Sequence, residues 1–572
     1  MATEVSLGGG ATMLNGGARF EATEDPGFRD RSRSISAMAS LFAPLDHLLG
    51  GGGDSRLSID AASGLNEYGC QLAPCPDTLS FASSTATSIS ARAYARAGRA
   101  REQLMQSAIA IGVEAAFDAR VEAMRGELRA CLGLSPEQAD IVFSPSGTDS
   151  QLQALLLTRA LLGPALTTIV VAADQTGSGT EHTARGHHFN AVTANGNPVR
   201  KGEPVAGLAR AIESVAVGLF AERGEFRNDA ETDSLVLGAV ETSIANGRHV
   251  LLQIMDSSKL GRRAPSDRCL DEISARWPAQ VQIVVDACQM RLGRPRLRKY
   301  LDRGYLVIVT GSKFFTGPAF SGALLVPAAL ARRIDGIAEI AAGFHDYFSR
   351  SDWPVHWRNL RSRFPVRENF GQWLRWEAAL EEIRAYHRVP DGFRRSALTM
   401  FGEGVERIIA STPSLRLLPP QQRHEDTGFD DEELAQPTIF PFVIQHGGRA
   451  LSLADCRKIY RALARDTGDA TSAKADDREI TATPIAAKAI DAKAIDAKSC
   501  LVGQPVALGR GSPDPVAALR ICASARLVTE TWSSDGDAAR RNLQGQLADV
   551  GASVSKIEWL VAQIDDLNST ET

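Results

Sequence analysis

No stretch of this 572-residue chain is a run of some 18 apolar residues, so no membrane-spanning helix is expected. Its opening residues, MATEVSLGGGATMLNGG, lack the basic-then-apolar order of a secretory signal, which leads us to expect a cytoplasmic protein. None of the eight cysteines forms a CxxC pair, and no histidine nearby completes a zinc pattern, so reduced thiols and no metal are expected. A net charge of -5 is small for this length and gives no sign of nucleic-acid binding.

The composition is that of a globular chain, with 44% hydrophobic and 23% charged residues. The length exceeds what one core supports, so two or three packed units are expected. Residues 1–60 are rich in Gly and Ser and include Gly50-Gly51-Gly52-Gly53, which reads as a flexible extension with a short helix in LFAPLDHLL. Apolar spacing of three and four predicts helix from about 90 to 132. Strand-like runs then alternate with helices: DIVFSPSG, TTIVVAAD, HVLLQIMD, QIVVDA, YLVIVTGS and GALLVP. That order predicts an α/β domain over 61–370 with a mostly parallel sheet covered on both faces. A long helix over FGQWLRWEAALEEIRAY and a smaller α+β domain, with TIFPFVIQH and AALRICASARLV as strands, are expected in 371–572. Within it, 469–498 holds AKAID twice in tandem and reads as an exposed low-complexity insertion.

Four features carry chemistry. FSPSGTDS ends a strand and opens a helix, so Ser146, Gly147 and Thr148 offer N–H groups and hydroxyls where the helix dipole favours a phosphate, although the same residues make an ordinary cap. Asp286 ends the apolar strand of QIVVDACQ, where an acid needs a cap, an ion pair or a cationic ligand. Lys313 lies between two apolar strands in VTGSKFFTGP, where desolvation lowers its pKa and favours imine formation. Thr310 and Ser312 beside it are candidate phosphate donors. Arg520 lies inside an apolar strand and requires an anion, either an internal carboxylate or that of a bound substrate.

Together these residues resemble the fold-type-I pyridoxal-phosphate enzymes, in particular the class-V aminotransferase and cysteine desulfurase group. The sharpest element is Asp286-Ala-Cys-Gln289 followed by Lys313 and then Gly317-Pro318. The resemblance implies a large domain with a seven-stranded-type sheet, a smaller C-terminal domain and a homodimer. It implies that Lys313 makes the Schiff base, that Asp286 pairs with the pyridine nitrogen and that Gln289 bonds the ring hydroxyl. Gly147 and Thr148 match the phosphate position. Glu181-His182 looks like the pair whose imidazole stacks on the ring, with His187 and His188 as rivals.

Some of the chain departs from that pattern. Ser257-Ser258-Lys259-Leu260-Gly261 stands where desulfurases have Asn-Asn-Glu-x-Gly. Val366-Arg367-Glu368-Asn369 replaces Gly-Thr-Pro-Asn, and Arg367 takes the place of the threonine that reaches the neighbouring subunit's phosphate. Cys500 lies where a desulfurase carries its nucleophile but lacks the motif, and LVGQPVAL also reads as a strand. Residues 65–90 read as a lid or substrate-lining segment. The expectation is an enzyme acting on an amino acid as its small-molecule substrate, with aminotransferase ranked over desulfurase or lyase. A catalytically idle scaffold is the alternative from another class.

Overall fold

A computed structural model describes residues 36–208, 212–221, 224–337, 339–421, 433–464, 499–509 and 514–564. The AKAID insertion and residues 1–35 lie outside these ranges.

Seven strands form the larger sheet: β2 (Ala139–Ser144), β3 (Leu166–Val171), β4 (Ile212–Val217), β5 (His249–Met255), β6 (Val281–Asp286), β7 (Leu306–Thr310) and β8 (Gly322–Pro327). Their order is β2-β8-β7-β6-β5-β3-β4. β8 runs antiparallel to both β2 and β7, whereas β4, β3, β5, β6 and β7 pair in parallel. β2, β3, β7 and β8 are buried along their whole length. Burial on both faces is why these segments read as unbroken apolar runs. This is the mostly parallel, helix-flanked sheet expected from the sequence.

The helix Gly147–Leu162 is buried over Thr148–Thr158, and the helix Phe370–Arg388 is buried along most of its length. The predicted helical stretch near 90–132 is two helices, Ala91–Ile111 and Val113–Cys131. Gly112 separates them at φ 86°, a left-handed conformation that glycine adopts without a Cβ clash.

A second sheet has the order β1-β12-β13-β10-β11, with β9 paired to β10. Its strands are β1 (Leu79–Phe81), β9 (Leu415–Leu417), β10 (Ile439–His446), β11 (Arg449–Ala450), β12 (Cys500–Ala507) and β13 (Ala517–Cys522). Two expectations are corrected here. The predicted strand AALRICASARLV stops at Cys522, and a helix Ala525–Thr531 follows, capped by Ser524. β1, expected with the large domain, pairs in parallel with β12, Leu79 opposite Cys500.

The expectation of a flexible extension over residues 1–60 is also corrected where the chain is described. Leu41, Leu48, Leu49 and Leu57 are buried. Arg375, buried in the helix Phe370–Arg388, donates to the carbonyls of Leu49 (2.8 Å), Gly51 (2.5 Å), Gly52 (3.0 Å) and Phe320 (2.8 Å). A Cβ on Gly52 would strike the Asn369 side chain, and one on Gly371 would strike the Gly51 carbonyl. The glycines thus permit close approach of two backbones rather than looseness.

Candidate active site

Adjacent parallel strands deliver Asp286 and Lys313 to one end of the large sheet. Asp286 is the last residue of β6, and Lys313 lies three residues past the end of β7. The turn after β6 is fixed from both sides. The Cys288 N–H donates to Asp286 Oδ1 at 3.1 Å, and Thr310 Oγ1 donates to the Cys288 carbonyl at 2.7 Å. Gly147 completes the contact: a Cβ there would lie 2.5 Å from Cys288 Sγ and 3.5 Å from Thr310 Cγ2. The start of the helix Gly147–Leu162 therefore abuts the Asp286 turn only because residue 147 has no side chain.

Burial pushes the Asp286 carboxyl above its ordinary range, while hydrogen bonds from Cys288, the amine of Lys313 and the amide of Gln151 pull it back. Lys313 is partly buried, and desolvation lowers its amine to about 8. Its Nζ donates to the Ser84 carbonyl at 3.1 Å, and Gln289 Nε2 donates to the same oxygen at 3.0 Å. Ser84 follows β1, so the second sheet supplies a wall of the cluster. Ser312 is buried beside Lys313.

Two arginines, Arg520 buried and Arg291 partly buried, face the same wall. Arg520, on β13, donates to Thr85 Oγ1 at 3.1 Å, to the Lys259 carbonyl at 3.3 Å and, closely, to the Gln504 carbonyl. Arg291 donates to Ser83 Oγ (2.9 Å), Thr438 Oγ1 (3.0 Å) and both oxygens of Gln289 (2.8 and 3.0 Å). Burial lowers both guanidinium groups to about 10. Among the described residues neither has a carboxylate partner, and Arg520 Nε has no hydrogen-bond partner. The internal salt bridge that Arg520 could have made is not found among them.

At the helix start, Ser146 Oγ is already engaged. It accepts the Asp149 N–H at 3.3 Å and donates to Asp149 Oδ2 at 2.6 Å. Ser146 is therefore the N-cap, and Gly147 and Thr148 supply the first amides. Asp149 is buried near Asp54, and desolvation raises its carboxyl to about 7. Arg56 bridges this corner, with Nη2 2.6 Å from Asp54 Oδ2 and 3.5 Å from Ser146 Oγ.

His182 is not brought to the cluster. Its short helix, Thr180–Thr183, turns the two threonines inward. Thr180 Oγ1 accepts from Gln151 Nε2 at 3.2 Å, and Thr183 Oγ1 donates to Gln151 Oε1 at 2.7 Å. The His182 ring is partly buried beside its own helix, 3.5 Å from Glu181 Oε1 and near Gly202. Of its rivals, His188 bonds the Tyr347 hydroxyl at 2.7 Å, away from Lys313. The loop after β3 presents Gln175, which is 1% exposed and has an unpartnered Oε1. The Thr176 carbonyl beside it accepts from Lys259 Nζ at 2.7 Å. Arg367 stands apart in this chain, donating to the His345 carbonyl at 3.2 Å.

Sequence reasoning missed Ser84, Arg291, Lys259 and Gln175 as cluster members. Arg291 carried a signal, since it sits two residues after Gln289; Ser84 lay within the 65–90 segment read as substrate-lining, and Lys259 within the stretch that departs from the desulfurase pattern, whereas Gln175 carried none.

Three solved structures similar to the chain are Oryza sativa TDC with PLP and tryptamine, the cysteine desulfurase CsdA of Escherichia coli, and a C-DES mutant with glycine covalently linked to the PLP cofactor. The first is 15% identical over 91% of this chain and 95% of its own, with a TM-score of 0.46. The second is 13% identical over 85% and 95%, with a TM-score of 0.45. The third is 13% identical over 82% and 97%, with a TM-score of 0.47. No family model matches the chain, and no curated protein matches it. The α/β architecture itself is established by the sheet order above.

Proposed function

We propose that this chain is a pyridoxal-phosphate-dependent enzyme acting on an amino acid, with Lys313 as the residue that carries the cofactor and a class-V type aminotransferase as its activity. The observation that carries the reading is the meeting of Lys313, its amine lowered to about 8, with the buried Asp286 and the carboxylate-free Arg520.

The residues present fit such a group. A buried carboxylate with no ion-pair partner within 4 Å among the described residues suits a protonated ring nitrogen. The first amides of the helix Gly147–Leu162 suit a phosphate. Thr148, Thr310 and Ser312 border that end of the site, Gln289 suits the ring hydroxyl, and Gln175 replaces His182 as the candidate to face the ring. When bound, the cofactor supplies an electron sink for bonds at the substrate's Cα.

The chain's own residues do the rest. Arg520 offers its guanidinium fork to the substrate's α-carboxylate, which fixes the amino acid in one orientation. Lys313, an amine titrating near neutrality, is the base to move a proton at Cα. Asp286 stays ionised when a cation sits against it and holds a proton on that partner. Residues 83–85 close one wall and limit water.

Purified protein mixed with pyridoxal phosphate should acquire visible absorbance that Lys313→Ala abolishes, and amino donors should change that spectrum. A chain that takes up no cofactor would be the idle scaffold instead. Cys500 lends no support to the desulfurase alternative. It is paired within β12, buried, hydrogen-bonded to Ser553 Oγ at 3.0 Å, and its thiol is pushed up to about 11 by burial. A homodimer, with Arg367 reaching the cofactor phosphate of the other subunit, belongs to the same proposal. Sedimentation of the protein and cofactor retention by Arg367→Glu test it.

A further inference from the structure

Lys259 lies on the turn after β5, and this turn is tied down. Ser258 Oγ accepts the N–H groups of Leu260 and Arg262, both at 3.1 Å, and the Gly261 N–H donates to the Ser258 carbonyl at 3.0 Å. The Lys259 carbonyl accepts from Arg520, so the two residues are locked together. The side chain reaches back across the end of the sheet to the Thr176 carbonyl. An ammonium carries three donors. Among the described residues Lys259 has one neutral acceptor and no carboxylate.

The charge balance around it is uneven. Lys259 and Lys313 share one acid, Asp286, and both also feel the charge of Arg520; Lys313 feels that of Arg291 as well. Burial, reinforced by Arg520 and Lys313, lowers the Lys259 amine to about 7. In the reading above, one anion, the substrate's α-carboxylate, goes to Arg520, and the cofactor phosphate goes to the helix start at Gly147. Arg291 is spent on hydrogen bonds to Ser83, Thr438 and Gln289, which leaves Lys259 as the cation with a fixed backbone and a single neutral partner among the described residues. A half-buried cation whose one partner is neutral is open to an anionic group that enters beside it.

We infer that Lys259 binds a second anionic group on the substrate, so that the enzyme takes amino acids whose side chains end in a carboxylate. This rests on the proposed amino-acid chemistry at Lys313 and Arg520. Lys259 acts as a specificity-determining residue, reaching the substrate from the strand next to the one that bears Asp286.

The test titrates cofactor-loaded protein with glutamate, aspartate, glutamine and asparagine, following the visible spectrum. Wild type should bind the acids more tightly than the amides. Lys259→Gln should weaken the acids about 10- to 100-fold, the range for a charge-assisted hydrogen bond, and leave the amides within about threefold. Lys259→Arg, which keeps the charge, should retain the preference for acids. Acid-specific affinity should also fall as pH rises past 7, because only the protonated amine attracts the second carboxylate. The amides control for Lys313, Arg291, Arg520 and Asp286, which face the same space. Equal binding of acids and amides by wild type overturns the inference, as does equal weakening of both by Lys259→Gln. If both variants lose the cofactor while wild type keeps it, Lys259 supports the cofactor and the inference is wrong. Failure of wild type to take up pyridoxal phosphate would instead defeat the proposed function.

Discussion

Replacing Arg520 with methionine separates what that residue does for the fold from what it does for the substrate. The side chain is 1% exposed, and burial lowers the guanidinium from the ordinary arginine range to about 10. That difference amounts to about 3 kcal/mol against keeping the cation in place. On the other side stand three hydrogen bonds, to Thr85, Gln504 and Lys259, at about 1 kcal/mol each net. Thr85 Oγ1 would keep the Gln504 N–H as a donor, at 3.1 Å. The terms nearly cancel, so Arg520→Met should change unfolding stability in urea by no more than about 2 kcal/mol. Substrate binding has no such compensation. Losing one partner of a desolvated arginine–carboxylate pair costs about 2–5 kcal/mol, a weakening of about 30-fold or more. The assay pairs a urea melt with spectral titration of the loaded protein, using an amino acid and its α-carboxamide. The acid form should lose affinity in the variant and the amide should not. A collapse in stability, with affinity for the acid unchanged in the protein that remains folded, would show that Arg520 is architectural and refute the reasoning.

Three further outcomes are expected. The unfolded Lys313 amine titrates at 10.5 and the folded one at about 8, so between those values the unfolded chain binds more protons and the cofactor-free protein gains stability as pH rises. Lys313→Met should remove that slope, and it should be the more stable protein at pH 7 by roughly 1–3 kcal/mol; thermal melts across pH 7–11 read both. Asp286→Asn should leave the cofactor-free fold intact, because it removes a buried carboxylate without changing its shape. It should lower turnover of the loaded enzyme by about 10²–10³-fold, as loss of one preorganised electrostatic group does. Cys500→Ala should change turnover of any amino acid, cysteine included, by less than about twofold, since the thiol is sealed inside the second sheet; abolished sulfide release would restore the desulfurase alternative.

The sequence by itself determined the large sheet and the heart of the site. Strands buried on both faces must be apolar throughout, so β2, β3, β5, β6, β7 and β8 announced themselves as runs. Asp286 and Lys313 were legible because each closes such a run, and ends of neighbouring parallel strands lie about 5 Å apart. Only the tertiary structure decided what gathers around them. Ser84, Lys259 and Arg520 lie far apart along the chain, and local periodicity carries no record of such meetings. Gly50–Gly53 read as loose because glycine favours both open chain and close backbone approach; the carbonyl ring around Arg375 selects the second. His182 read as a ring-facing residue from its spacing, yet the direction of a side chain depends on which face of its helix is buried. There Gln151 draws Thr180 and Thr183 inward, and the imidazole lies beside Glu181 instead. What fixed the meeting of Asp286 and Lys313 was backbone pattern; what surrounds them is side-chain convergence, which only the folded chain can impose.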